Sequence, residues 1–144
     1  MDIYGTDKLE AAYQAEATEF SSLLLVGNAQ GSFDIQYLPR EAQTFPIMDA
    51  LIIDLNKDGL QDAIVAGCLY ETEVETPRLD AGSGLVLLAT GDGYQVAPCP
   101  EYCFHIPGNV KHLDLWDLED GRQFIVALCN DAPLSMKRYQ QPNM

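Results

Sequence analysis

The stretch Asp54-Leu55-Asn56-Lys57-Asp58-Gly59-Leu60-Gln61-Asp62 governs how the rest of the chain is read. It has the form D-x-N-x-D-G-x-x-D. Oxygen-bearing side chains at alternating positions point inward around a tight loop. Gly59 permits the sharp turn, Leu60 offers its carbonyl, and Asp62 closes the cage. Hard oxygen ligands at this spacing suit calcium, which takes about six to eight of them in flexible geometry, whereas magnesium demands a stricter octahedron. The candidate metal ligands are Asp54, Asn56, Asp58, the Leu60 carbonyl and Asp62, with calcium as the expected cofactor. An acidic Asp/Asn-Gly turn that holds no metal is the plainer reading of the same residues.

The flanks decide what kind of loop this is. An EF-hand would need a bidentate Glu at its twelfth position and a helix on either side. Val65 stands at that position and cannot ligate. Leu51-Ile52-Ile53 before the loop and Ala63-Ile64-Val65-Ala66 after it are rich in strand-forming residues. A metal loop joining two β-strands is therefore expected.

Outward from the loop the same strand-and-turn grammar continues. Strands are expected at 22–26, 33–38, 48–53, 63–69, 84–90, 94–97, 110–116, 123–129 and 134–139. Gly27-Asn28-Ala29-Gln30-Gly31-Ser32 and Gly91-Asp92-Gly93 supply the hairpin turns. That makes about nine strands at intervals of roughly 8–12 residues, the rhythm of β-sandwiches and propellers. Ala50-Leu51-Ile52-Ile53-Asp54-Leu55-Asn56-Lys57-Asp58-Gly59 returns loosely as Leu113-Asp114-Leu115-Trp116-Asp117-Leu118-Glu119-Asp120-Gly121, about 63 residues later, and the two glycine hairpins lie a similar distance apart. Matched spacing of two different signals argues for an internal repeat. The expected organisation is a single unit over 1–144, with repeat one at about 21–83 and repeat two at about 84–140. Each repeat would form about one four-stranded, propeller-like blade. A self-contained β-sandwich is the rival fold. In the second copy of the loop a residue is missing, and the position matching Asp62 falls near Phe124 or Ile125. The loop Asp117–Gly121 therefore reads as a turn that has lost the metal.

Residues 6–18 differ from the rest. Thr6 can cap a helix, and Leu9, Ala12, Tyr13 and Ala17 follow helical spacing, although Glu16 interrupts the stripe. A short amphipathic helix is expected there.

The bulk properties narrow the partners. The 144 residues carry 8 Lys+Arg against 22 Asp+Glu, a formal charge of -14. Such a surface repels phosphate backbones and anionic membranes, and favours divalent cations and basic partners. No nucleic acid is expected. No apolar run reaches the ~20 residues of a membrane-spanning helix, and the start Met1-Asp2-Ile3-Tyr4-Gly5 lacks the basic and apolar regions of an export signal. Cys99 and Cys103 could close a small disulfide loop, while Cys68 and Cys129 end apolar runs and read as buried free thiols.

Taken with its glycine hairpins, the D-x-N-x-D-G-x-x-D loop between strands resembles FG-GAP/VCBS repeats of β-propellers. Further stretches resemble the C-terminal part of VCBS proteins with an ASPIC/UnbV region: Leu38-Pro39-Arg40-Glu41-Ala42-Gln43, Thr76-Pro77-Arg78-Leu79-Asp80-Ala81-Gly82, Pro107-Gly108-Asn109-Val110-Lys111 and the helix start Tyr4-Gly5-Thr6-Asp7-Lys8-Leu9. The resemblance implies a secreted or cell-envelope protein with an adhesion or carbohydrate-associated role. It implies a calcium role for Asp54, Asn56, Asp58, Leu60 and Asp62. Two blades and a part do not close a ring, so open edges invite association. The expected partners are copies of the chain or neighbouring blades of a longer one, with a protein or glycan as ligand.

No catalytic motif stands out. His105 reads as a half-buried structural residue, and Trp116 as core. A Cys99 or Cys103 thiol beside a His would make a weakly supported nucleophilic pair. Glu71, Glu73 and Glu75 would share one face of a strand, as a solvated acidic edge. Arg78 and Asp80 can pair within the long loop. The reading is a non-catalytic, calcium-stabilised binding or scaffolding module; the alternative is a carbohydrate-active hydrolase or lyase on a propeller scaffold.

Overall fold

The computed structural model describes residues 10, 12–100, 102–130 and 132–139. Among them stand nine strands: β1 (Leu23–Gly27), β2 (Phe33–Tyr37), β3 (Asp49–Ile53), β4 (Asp62–Ala66), β5 (Leu85–Thr90), β6 (Gly93–Val96), β7 (Val110–Asp117), β8 (Gln123–Cys129) and β9 (Ser135–Tyr139). All nine match segments expected from the strand pattern. Neighbours in sequence pair antiparallel, giving sheets β1-β2, β3-β4-β5-β6 and β7-β8-β9.

This differs from two complete four-stranded units. A sequence period fixes the length of a repeat but not its phase. The sheets break in the irregular segments 38–48 and 97–109, so only the middle sheet has four strands. The chain supplies two strands to the sheet before it and three to the sheet after it.

The sheets lie in series. Strand β4 is buried along its whole length, because it faces a core on each side. The period-two alternation of a strand divides its residues between the two. Ile64 and Ala66 join Leu55, Val86, Val110, Leu113, Ile125 and Ala127 in the core shared with β7-β8-β9. Ala63 and Val65 join Phe45 and Leu87 in the core on the opposite face, with Leu38 and Ile47 packed against it. A cleft of about 330 Å³ remains on that side, lined by Leu23, Leu24 and Leu38 against Ala50, Ile52 and Val65. The two larger sheets are also clamped through Asp49. Its Oδ2 accepts the Leu113 N–H at 2.8 Å and lies 2.6 Å from Nδ1 of His112.

Local chemistry sets the hairpins. In the β1-β2 turn the Asn28 carbonyl oxygen accepts from the Gln30 N–H at 3.2 Å and the Ser32 N–H at 3.0 Å, so one side chain organises the loop. A 3-10 turn, Arg40–Gln43, follows β2. Gln43 there donates to the Ser22 and Leu38 carbonyls at 2.8 and 3.0 Å, fixing the base of the hairpin. Backbone crosses backbone at Gly67 and Gly82: a Cβ on Gly82 would strike the Gly67 carbonyl, and one on Gly67 would strike the Pro46 carbonyl and Met48.

Over the described residues 12–18 the expected short N-terminal helix is not formed. Residues 13–18 are exposed and have no regular structure; 6–9 and 11 lie outside the described residues. Tyr13, the largest residue of the expected stripe, is 93% exposed. A helix this short is marginal in water unless it buries its apolar face, and Ala12, Tyr13 and Ala17 of the expected stripe are all exposed.

Candidate metal-binding loop

Residues 54–61 connect β3 to β4, and Asp62 is the first residue of β4. The loop closes through its own side chains. Asp54 Oδ2 accepts the Gly59 N–H at 3.0 Å, Asn56 Oδ1 accepts the Asp58 N–H at 3.0 Å, and Asp58 Oδ1 accepts the Leu60 N–H at 2.8 Å. Lys57 and Gly59 both take positive φ, 61° and 89°. Lys57 carries the cost of a left-handed side-chain residue, and Gly59 does not.

Asp62 is fully buried. Its Oδ2 accepts the Leu55 N–H at 2.9 Å, and its Oδ1 accepts the Ala89 N–H at 2.8 Å. One carboxylate thus ties the loop to its own strand and to β5. Tyr94 backs this arrangement by donating its hydroxyl to the Gln61 carbonyl at 3.0 Å. Burial, then the nearby Asp62 carboxylate, push the Tyr94 phenol above its ordinary value.

Asp54 Oδ1 is buried and has no hydrogen-bond partner. An unpaired buried carboxylate oxygen is costly, and a cation would satisfy it. Among the described residues no three His, Cys, Asp or Glu side chains gather into a metal-binding group. Asn56 Nδ2 donates to Asp58 Oδ2 at 2.8 Å, so these two hold each other. The donor set of carboxylates, an amide and the Leu60 carbonyl is all oxygen and fits a hard divalent ion.

The second loop is satisfied from within. Asp120 Oδ2 pairs with Arg122 at 2.7 Å, and Asp117 Oδ1 accepts from Gln123 Nε2 at 2.6 Å. The Arg122 side chain holds the Asp120 carboxyl below its ordinary value. Strand register places Phe124 where the first loop has Asp62, since Trp116 pairs with Phe124 as Ile53 pairs with Asp62.

The other candidates fall out as follows. Glu71, Glu73 and Glu75 do not lie on a strand. Glu71, though exposed, accepts from Asn109 at 2.8 Å, Asn130 at 3.0 Å and Lys111 at 3.2 Å. The Asn130 amide is the largest of the effects that lower its pKa to about 2. Nothing local in the sequence signals this cluster, because Glu71 lies in the loop before β5 while Asn109, Lys111 and Asn130 lie in or beside β7 and β8, 38 to 59 residues further on. His105 is exposed rather than half-buried. Cys99 and Cys103 are joined in a disulfide, Cys68 is a buried free thiol, and Cys129 is a half-buried one. Arg78 and Asp80 face each other at 3.8 Å, with the Arg78 guanidinium over the Tyr70 ring. Trp116 lies on the open face of the last sheet, 45% exposed, and not in the core. Among the described residues no helix is long and apolar enough to cross a membrane.

No family model, no curated protein and no solved structure matches this chain.

Proposed function

We propose that this chain is a non-catalytic, calcium-stabilised binding or scaffolding module built from propeller-type blades of the FG-GAP/VCBS kind. The observation that carries the reading is the buried, unpartnered Asp54 Oδ1 inside a D-x-N-x-D-G-x-x-D loop. Asp54, Asn56, Asp58, the Leu60 carbonyl and Asp62 would hold the ion. A bound calcium ion would supply a local positive charge among these oxygens. To hold the ion, Asn56 and Asp58 would give up their mutual hydrogen bond, and Asp62 would contribute alongside its two backbone partners.

Two features support the rest of the reading. The middle sheet has four antiparallel strands in sequence order and is covered on both faces, the arrangement of a blade. Cys99 and Cys103 are tied to each other, so neither offers a free thiol to His105. That disulfide also supports an oxidising compartment, in keeping with a secreted or envelope protein. The ligand of such a module is a protein or a glycan.

The test is a thermal melt of chelator-treated protein with and without calcium, run beside Asp58→Ala. A ligand that binds only the native state stabilises it by about 2.7 kcal/mol at a hundredfold excess over Kd. A rise in Tm with calcium, absent in Asp58→Ala, is the expected result. No rise at millimolar calcium reduces the loop to an acidic turn.

A further inference from the structure

The core between the two larger sheets is not filled to its edge. A partly open cavity of about 110 Å³ lies there, floored by Leu55, Ile64, Val86 and Ile125, each 6% exposed or less. Tyr102, Cys103 and Phe104 form one wall. That wall is held in place without a ligand. Cys103 is bonded to Cys99, and the Tyr102 N–H donates to the Pro98 carbonyl at 3.1 Å. Just beyond the wall the Ile106 N–H donates to the Ser83 carbonyl at 2.8 Å. The Phe104 ring lies so close to Gly84 that a Cβ there would come within 2.9 Å of it. On the other side Tyr139 donates its hydroxyl to the Leu55 carbonyl at 3.4 Å. A cavity fixed in shape this way loses little freedom when it is filled.

A cation stands at the rim. Lys137 pairs with Ile125 across β8 and β9, so the two side chains share a face, and Lys137 lines the cavity that Ile125 floors. Acidic residues outnumber basic ones by 22 to 8 in this chain. Arg78, Lys111 and Arg122 each lie 3.8 Å or less from a carboxylate. Lys137 has no carboxylate partner among the described residues, so its charge is available to a ligand. The larger cleft beside the first sheet has no charged residue in its lining.

We propose that this cavity binds a small apolar monocarboxylate, its ring or short alkyl chain on Leu55, Ile64, Val86 and Ile125 and its carboxylate on the Lys137 ammonium. Apolar walls with a few placed polar groups are the general form of a small-molecule site. An apolar cavity of about 150 Å³ holds a benzene ring, so this one takes a single ring that projects in part from the open mouth. One ammonium in a chain of charge -14 suits one negative charge better than two. The proposal goes beyond the metal reading and does not require calcium. Leu55 contributes its side chain to the cavity and is not among the proposed ligands of the ion.

A nuclear magnetic resonance titration of the nitrogen-labelled full chain tests this, with benzoate and its neutral isostere benzamide as probes and no calcium present. Benzoate is expected to saturate a single site, with the shifted amides gathered at Ile64, Val86, Phe104 and Ile125. Benzamide should bind about threefold to tenfold more weakly, the range of a solvent-screened ion pair, and added salt should narrow that gap. Lys137→Gln alters an exposed side chain, and circular dichroism checks that the fold is kept. It should bring benzoate down to the level of benzamide, and Lys137→Arg should restore the difference. The proposal is overturned if benzoate does not saturate anywhere in the millimolar range. Equal affinity for the two probes, or an unchanged benzoate affinity in a folded Lys137→Gln, overturns it too. So do shifts gathered along the other cleft, at Leu24 and Ile52.

Discussion

Replacing Asp62 by alanine probes the joint on which the candidate loop depends. The carboxylate is fully buried and accepts two backbone N–H groups, from Leu55 at 2.9 Å and Ala89 at 2.8 Å. The Leu55 donor is buried, and the Ala89 donor only partly so. Hydrogen bonds to charged groups contribute about 1.5–3 kcal/mol each. Taking the lower part of that range for the half-exposed partner gives about 3–4 kcal/mol for Asp62→Ala. That is a large share of the ~5–15 kcal/mol that holds a domain together. The assay is urea unfolding in chelator, so that no metal contributes to either protein. With a slope of about 2 kcal/mol/M, the midpoint should fall by about 1.5–2 M at unchanged slope. Asp62→Asn keeps one acceptor oxygen and should lose roughly half as much. A midpoint within about 0.5 M of wild type for Asp62→Ala would refute the reasoning. The two bonds would then contribute nothing that water cannot replace.

Four further outcomes follow from other parts of the structure. Asp120→Asn should leave the calcium-dependent rise in Tm unchanged, because Arg122 and not a metal neutralises Asp120; a lost rise would place the ion in the second loop. Glu71, lowered from 4.5 to about 2 first by the Asn130 amide, contributes stability that is present above its unfolded pKa and lost as pH falls toward 2. Glu71→Gln should therefore flatten the decline of the urea midpoint between about pH 4.5 and 2.5, and an unchanged slope counts against the cluster. Gly82→Ala should unfold the protein or cost more than ~3 kcal/mol, since its Cβ meets the Gly67 carbonyl and neither backbone can yield cheaply; a variant with wild-type Tm contradicts this packing. Ile64→Ala, at the centre of the core between the two larger sheets, should cost about 2–5 kcal/mol in the same urea assay.

The strands were legible because strand formation is a local matter. Alternation of apolar and polar residues, broken by Gly, Asn, Asp and Pro, is visible within eight or ten residues. Gln123–Cys129 and the hairpin at Gly27 lie where that pattern puts them. The loop from Asp54 to Asp62 is likewise contained in nine consecutive residues, so its oxygen donors could be named without a fold. The N-terminal segment shows the limit of local reasoning. Its helical spacing is real, but a stripe interrupted by Glu16 and exposed at Ala12, Tyr13 and Ala17 does not hold a helix in water.

What the sequence by itself determined is the element order, the antiparallel hairpins and the oxygen-rich loop from Asp54 to Asp62, all set by residues close together along the chain. Only the tertiary structure decided which strands share a sheet, since the spacing of strands along the chain does not say where one sheet ends and the next begins. It alone placed Asp62 under the Leu55 and Ala89 N–H groups, left Asp54 Oδ1 unpaired, drew Glu71 to Asn109 and Asn130, and turned Trp116 outward. Each of these depends on partners brought together by packing, from up to 59 residues away in the case of Glu71 and Asn130. Burial and hydrogen-bond satisfaction are properties of the surroundings, and the surroundings exist only once the sheets have stacked.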